Sequence, residues 1–532
     1  MKRILFGLLA FLFLMVSANF VLEYWLEYKV KNLLNSDADR KYDLLFEEVK
    51  IDLLSRKIAL NTIRLIPREQ QLGIRVNGSV HEILFSDVRY WDLLLKNQVS
   101  IGELYLREPS FRLVRQDSTF GGKDNSKAFQ ELFGDLIKRG RIEDFKLSNG
   151  TAELFLGQQD SLFRFGQFTD LNIQATGLKT DSLILTNPVP FEVEQITSSF
   201  KNFKLYLTEN QTFSIENFEF DYSSKTLLME GLSLSHSIPL QQVAQKDSFQ
   251  RDVMTFDLKQ FKVAELDANS NLYGNWTIIA GVAILDSLVF RDLRDKNIPR
   301  KPNDEKPMFA AMLKKLPLPL KINQVTLSRA TIFYDEIGQG ESQPARLSFE
   351  NLTAEIQNLV SIDSLQDEGS MKMKVFSDFL GKGRLEADFV IPFDQPYFNL
   401  DLKLGQMDLV HLNAITRPLG NIQIESGRLH ELKLQMRAQE SGSENKVWFD
   451  YSDLSLQVLN GARNNRKNGF LTLMAGLAIS KENRVEHKNY QKAQFNSQRN
   501  PYRGPFNFIW ENTKTGMEEI VPSKAARFLQ GK

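Results

Sequence analysis

The chain has no cysteine among its 532 residues. That excludes a disulfide scaffold, a thiolate metal or iron–sulfur site and a cysteine nucleophile. Histidine is scarce, with five residues. None forms an HExxH, a His-x-His or an i, i+4 pair, so a histidine-based metal site has no local support. No P-loop, G-x-S-x-G elbow or S-x-x-K nucleophile stands out, and Gly338-Gln339-Gly340 reads as a turn between strands. Net charge is absent too, since 66 Lys+Arg offset 66 Asp+Glu. A strongly basic nucleic-acid binder is therefore not expected. These absences favour a non-enzymatic protein without a cofactor or metal.

Phenylalanine is abundant, with 39 Phe against 13 Tyr and 5 Trp. Rings at that density need an apolar place to go. One long apolar run exists: Ile4–Leu22 holds 19 uncharged residues behind Lys2 and Arg3. It is long enough to span a bilayer. The preceding charges place the N-terminus in the cytoplasm and the body outside it. Ile4, Leu8, Phe11, Leu14, Val16 and Phe20 would face lipid, with Trp25 at the interface. The competing reading is a signal peptide cleaved near Val16-Ser17-Ala18, which makes the body secreted. Residues 1–35 thus read as membrane anchor and juxtamembrane helix.

Beyond residue 45 the pattern is alternation, the mark of half-buried antiparallel strands with one wet face. Phe203, Leu205 and Leu207 lie on one side of a strand, as do Phe218 and Phe220, and Phe256 and Leu258. Further along, Phe389 and Ile391 alternate with polar neighbours, then Phe398, Leu400 and Leu402. Helical spacing interrupts this over Ser126–Lys138 and Pro307–Leu316.

An internal repeat is expected. IDLLSRKIALNTIRL (51–65) matches FDYSSKTLLMEGLSL (220–234) at an offset of 169. YLRE (105–108) matches VFRD (289–292) at 184, and FKLSNGTAELF (145–155) matches VTLSRATIFYD (325–335) at 180. This suggests repeat units at 42–207 and 211–395, a C-terminal β segment at 396–459 and a distinct tail at 460–532. The tail carries 13 Lys+Arg against 5 Asp+Glu, a net of +8, and so leaves the body at −8. Its Arg503, Phe506, Phe508 and Trp510 are candidates for docking on a membrane surface or an envelope protein partner. The alternative is that these aromatics close the end of the sheet.

The N-terminal span, the strand pair Tyr42–Pro67, the strand–polar loop–helix–strand units and Leu400–Met436 together make the chain resemble the AsmA-like bacterial envelope proteins, of the AsmA/TamB superfamily. The resemblance implies an inner-membrane anchor with the body in the periplasm. It also implies a long twisted sheet curled into an apolar groove for phospholipid acyl chains, and a role in lipid transport or outer-membrane maintenance. The GPFNFIW block of the tail departs from it. From the residues alone, a one-faced apolar sheet either closes as sandwich or barrel units or forms a trough. The expected fold is therefore mainly β, a mostly antiparallel twisted sheet with a few short helices, groove-shaped or closed. The lipid reading stands against a scaffold that docks a partner through the tail.

Overall fold

A computed structural model describes residues 16–17, 20–25, 27–28, 42–67, 74–90, 99–115, 140–158, 161–178, 193–270, 276–316, 319–366, 369–459 and 479–522. The protein is mainly β, as the alternation predicts. Its sheet is mixed and does not close into a barrel. Two compact units appear, Met1–Glu230 with Ala268–Trp276, and Gly231–Asp267 with Thr277–Lys532.

In the N-terminal unit the strands are β1 (Tyr42–Leu45), β2 (Glu48–Asp52), β3 (Lys57–Pro67), β4 (Ile74–Ser86), β5 (Val99–Arg115), β6 (Gly140–Gln158), β7 (Ser161–Thr176), β8 (Gln195–Tyr206) and β9 (Gln211–Asp221). β1 and β2 both pair with β3, and β3 to β9 then pair in chain order. Every pairing is antiparallel except β5–β6, which is parallel. A parallel neighbour needs a long crossover, and residues 116–139, outside the described residues, lie between the two strands in the chain. The helix expected at Ser126–Lys138 lies there, outside the described residues.

Strand β10 (Thr226–His236) carries the boundary between the units. The C-terminal unit continues with helix α1 (Leu240–Gln245), β11 (Asp252–Ala264), the short β12 (Asp267–Ser270) at the boundary, and β13 (Trp276–Asp295). Helix α2 (Phe309–Leu313), β14 (Leu320–Ile337), β15 (Pro344–Val360), β16 (Ser370–Phe379), β17 (Gly383–Pro392), β18 (Tyr397–Leu404) and β19 (Met407–Asp408) follow. Last come helix α3 (Asn413–Gly420), β20 (Ile422–Gln439), β21 (Gly442–Val458), β22 (Lys492–Gln498) and helix α4 (Pro505–Ile520). β13–β14 is again the parallel pair. α2 occupies that crossover, shorter than the expected Pro307–Leu316.

The repeat is visible strand by strand. β3 (57–67) recurs as β10 (226–236), and β4 (74–86) as β11 (252–264). The offsets, from Lys57 to Thr226 and from Ile74 to Asp252, are 169 and 178. The opening turn recurs with its chemistry. Asp52 Oδ1 accepts the Leu54 and Ser55 amides at 3.0 Å, and Asp221 Oδ1 accepts the Ser223 amide at 2.9 Å. Arg56 and Lys225 then take the same left-handed conformation, at φ 53° and 52°. One expected block is out of step. Leu104 pairs with Phe145, and Ala283 with Val325, so residue 104 corresponds to 283. Tyr105–Glu108 therefore corresponds to Ile284–Ser287 rather than to 289–292. The sequence match followed the shared Arg, whereas hydrogen-bond register follows the neighbouring strand.

The larger core lies in the C-terminal unit, where α2, α3 and α4 pack on strands β15 to β22. α4 begins with Gly504 and Pro505, a good first-turn residue. It buries Phe508, Ile509, Asn512, Thr513, Gly516 and Ile520, the one-sided stripe of a surface helix. Gly516 permits the close approach, because a Cβ there would lie 2.3 Å from Val447 Cγ2.

Among the described residues no helix is long and apolar enough to cross a membrane. Of the expected anchor, Ile4, Leu8, Phe11 and Leu14 lie outside the described residues. Val16, Phe20 and Trp25 are helical and exposed.

Candidate binding face

Residues paired across neighbouring strands point to the same face, so the register assembles a surface from the sequence. In the N-terminal unit one row runs Phe85–Leu104–Phe145–Ala175–Ile196. The next runs Ile83–Leu106–Leu147–Ile173–Ser198–Phe220. Further along the strands come Gly78–Phe111–Ala152–Phe168 and Val76–Leu113–Leu154–Gly166–Leu205–Phe213. Ser198 is the single polar side chain in these four rows.

Between the two pairs of rows the alternation slips. Leu147 and Gly150, or Phe200 and Phe203, are three apart yet both belong to the apolar face. In five strands a left-handed residue sits at the slip: Thr62 in β3, Glu108 in β5, Asn149 in β6, Asp170 in β7 and Asn202 in β8. Such a residue adds one position, bends the strand and sharpens its twist. The slips lie in register across the sheet, with breaks at 147/150 against 173/171 and at 167/169 against 204/201. They form a fold line that keeps one face apolar on both sides of a bend. The second repeat has the same line at Gly231, Ser287, Arg329 and Asn351.

The rings on this face touch one another but are not sealed. Phe200 stacks on Phe218 with centroids 4.3 Å apart, Phe168 lies 5.8 Å and Phe203 5.9 Å from Phe200, and Phe213 meets Phe203 edge-on at 6.3 Å. All five rings are half-buried. The opposite face is polar. It carries the ion pairs Arg107–Glu82 (3.0 Å), Arg164–Glu153 (2.8 Å) and Lys201–Asp170 (3.0 Å). A hydrogen bond joins Tyr105 Oη and Ser148 Oγ at 2.7 Å.

The expected groove residues divide. Phe203, Leu205, Phe218 and Phe220 sit on the half-buried face of the N-terminal unit. Leu207 falls past the end of β8, in the turn, and is 49% exposed. Phe256 and Leu258 occupy the equivalent face in the second repeat, at the positions of Gly78 and Val80. Phe389, Ile391, Phe398, Leu400 and Leu402 belong instead to a closed core, with Leu400 1% exposed. Phe309 of α2 covers them, edge-on to Phe389 at 5.5 Å, to Phe398 at 5.2 Å and to Phe506 at 5.4 Å. Alternation does not reveal this difference, because a roofed apolar face and an open one have the same period.

The tail residues also separate. Phe508 turns into the core, whereas Phe506 and Trp510 stay on the outer side, 68% and 38% exposed. Arg503 is half-buried, and its carbonyl accepts a hydrogen bond from Arg499 at 3.3 Å. The inner side of α4 carries a buried polar lock. Asn512 Oδ1 accepts from Asn445 Nδ2 at 2.9 Å and from Ser497 Oγ at 2.6 Å.

Sequence reading missed an interruption of the apolar face in the C-terminal unit. On β11, β13 and β14 the rows Met254–Asp292–Tyr334 and Asp252–Arg294–Glu336 bring charge onto it. Arg294 grips Asp252 through two bonds of 2.6 and 2.5 Å, Tyr334 donates to Glu336 at 2.9 Å, and Lys296 pairs with Glu336. Asp292 Oδ1 is buried and has no hydrogen-bond partner among the described residues. Burial, then the nearby Asp252 carboxylate, push the Asp292 carboxyl up to about 7. Burial raises Tyr334 as well. The signal was present in the sequence as acids at alternating places of an otherwise apolar strand.

Among the described residues no group of three or more metal-ligating side chains could hold a metal ion. His411 is exposed, and His430 faces Ser452 at 3.1 Å. Comparison with models of known protein families and with curated proteins found no match to this chain.

Proposed function

We propose that this is an exported, membrane-anchored lipid-binding protein whose apolar face holds acyl chains, in support of lipid transport or outer-membrane maintenance. The observation that carries this reading is the contiguous apolar face of β3 to β9, bent along a fold line, whose β3 to β6 part is largely buried while the rings of Phe168, Phe200, Phe203, Phe213 and Phe218 on β7 to β9 stay half-buried. An apolar surface of that extent favours burial, by about 25 cal/mol per Å² removed from water, and an acyl chain fits it without needing polar partners. The N-terminal run Ile4–Leu22 and the likeness to AsmA-like proteins support an inner-membrane anchor with the body in the periplasm. The protein acts as a binder rather than an enzyme on this reading, and it needs no cofactor.

The test is extraction of the full chain in mild detergent, followed by mass spectrometry of bound lipid. Photoreactive residues are placed at Phe203 and Phe256, with Lys204 on the opposite face as control. Lipid crosslinked from Phe203 and Phe256 and not from Lys204 is the expected result. Absence of bound lipid and of crosslinks overturns the reading.

A second reading, a scaffold that docks an envelope protein, draws on the outward Phe506 and Trp510. Replacing both by serine should then abolish partner capture and leave lipid content unchanged. Truncating the tail does not test this, since α4 also roofs the core.

A further inference from the structure

The two repeats differ most sharply at one end of the apolar face. Where the first repeat has Ile74, Leu113, Leu154 and Leu156, the second has Asp252, Asp292, Tyr334 and Glu336, each at the same register position. Only the arginine is common to both, Arg115 and Arg294. A strand end that packs well with leucine in one copy has thus acquired a carboxyl on an apolar face in the other. The carboxylates of Asp252 and Glu336 are matched by Arg294 and Lys296. Asp292 is the residue left over: among the described residues its Oδ1 has no hydrogen-bond partner, while the residue as a whole is still partly accessible. A buried carboxyl oxygen without a donor is left with the cost of its lost hydration. Hydrogen bonds from a charged donor are the strongest way to recover that.

We propose that this cluster is a head-group site, in which an amphiphile with its tail on the apolar face brings an ammonium group to Asp292. The site rests on the lipid-binding reading above and adds a selectivity to it. Phe256, Leu288 and Phe290 receive the first carbons of the tail, being on the same face and next along the strands. The groups that face Asp292 are Asp252 from β11, Arg294 from β13, and Tyr334 and Glu336 from β14. Asp335 acts on it from the far side of β14, and Lys296 pairs with Glu336 beyond the end of β13. Arg294 and Lys296 are engaged with Asp252 and Glu336, and Arg300 lies within electrostatic reach of Arg294 and Glu336, so the carboxyl oxygen open to an incoming cation is Asp292 Oδ1.

The test uses the full-length protein in neutral detergent, titrated separately with dodecylammonium and dodecanol, which share a chain and differ in the head. Displacement of a polarity-sensitive dye reports binding. At pH 8 the wild type should prefer dodecylammonium by about tenfold, equivalent to ~1.4 kcal/mol. The preference should shrink at pH 5.5, where Asp292 takes up a proton. Asp292→Leu, which installs the first repeat's residue, and Asp292→Asn should both keep dodecanol binding and lose the preference. An equal preference in wild type and both variants, or none in the wild type, overturns the head-group site alone. Failure of the wild type to bind either amphiphile overturns the lipid-binding reading with it.

Discussion

The apolar face of β3 to β9 and the apolar face of β15 to β22 are built by the same rule and are covered to different extents. Both present aliphatic and aromatic residues at every second place, and paired strands bring them into rows. In the C-terminal rows Leu402 pairs with Leu434, which pairs with Val447, and Leu434 and Val447 are fully buried. In the N-terminal rows Leu104, Leu147 and Ala175 are buried, but their neighbours Leu106, Ile173 and Phe203 remain half-buried. The difference is a roof. α2, α3 and α4 bring Phe309, Ile415, Phe508 and Ile509 onto the C-terminal rows and make a close-packed core of them. A sheet face becomes a core or a binding surface according to what the rest of the chain lays over it.

The strongest way to break this comparison is to truncate one residue from each face. Leu434→Ala should cost about 3–4 kcal/mol, because a roofed site leaves a cavity. Leu171→Ala on the N-terminal face should cost about 1 kcal/mol. Equal losses in denaturant unfolding would show that both faces are sealed. Next in size is the roof itself. Gly516→Val should cost about 2–3 kcal/mol through overpacking against Val447, and Trp510 fluorescence should shift as α4 lifts. If the emission and the melting temperature stay unchanged, α4 does not close the core.

Asn512→Leu should cost about 2 kcal/mol, since it removes the acceptor shared by the buried Asn445 amide and the Ser497 hydroxyl. Restoring the pairing with Asn445→Leu in the same chain should recover part of the loss, and a double-mutant cycle measures how much. At the fold line, Asn149→Ala should cost about 1 kcal/mol and Asn149→Gly close to none, because a left-handed backbone penalises a Cβ. Equal effects would mean that φ 54° at this position is not maintained in solution.

A different kind of effect is a slope with pH. Asp292 holds its proton in the folded state up to about 7, well above the ordinary carboxylate value of 3.8. The folded state therefore binds more protons than the unfolded state between those values, and stability falls as pH rises through that window. Asp292→Asn should flatten the slope between pH 4 and 7 in thermal melts. An unchanged slope would mean that Asp292 ionises normally.

Several of these elements were readable in advance, each for a physical reason. Alternation identified β8, β9, β17 and β18, because period two is a direct consequence of strand geometry. The Asp52 and Asp221 turns betrayed the repeat, because an Asx cap requires a short acceptor at a fixed distance before a strand. The fold line was present as breaks in alternation, such as Phe200 to Phe203, and was missed because a slip of one residue looks like the end of a strand. The pairing of residue 104 with 145 lay beyond reach, since a parallel register is set across a crossover and not by a local turn. Whether Phe389 and Phe398 faced a ligand or a roof was equally hidden. That depends on Phe309 and Phe508, which lie about 80 to 120 residues from them in the chain.

The sequence by itself determined that this protein is made of strands with one apolar face, that a unit of those strands recurs, and that its chemistry avoids thiols and local metal motifs. Those properties follow from side-chain identity and short-range spacing. The tertiary structure alone decided which part of the face is covered, where the strands bend together, and that, among the described residues, Asp292 Oδ1 is left without a hydrogen-bond partner. Each of these is set by contacts between segments far apart in the chain, and no local pattern records what another segment brings.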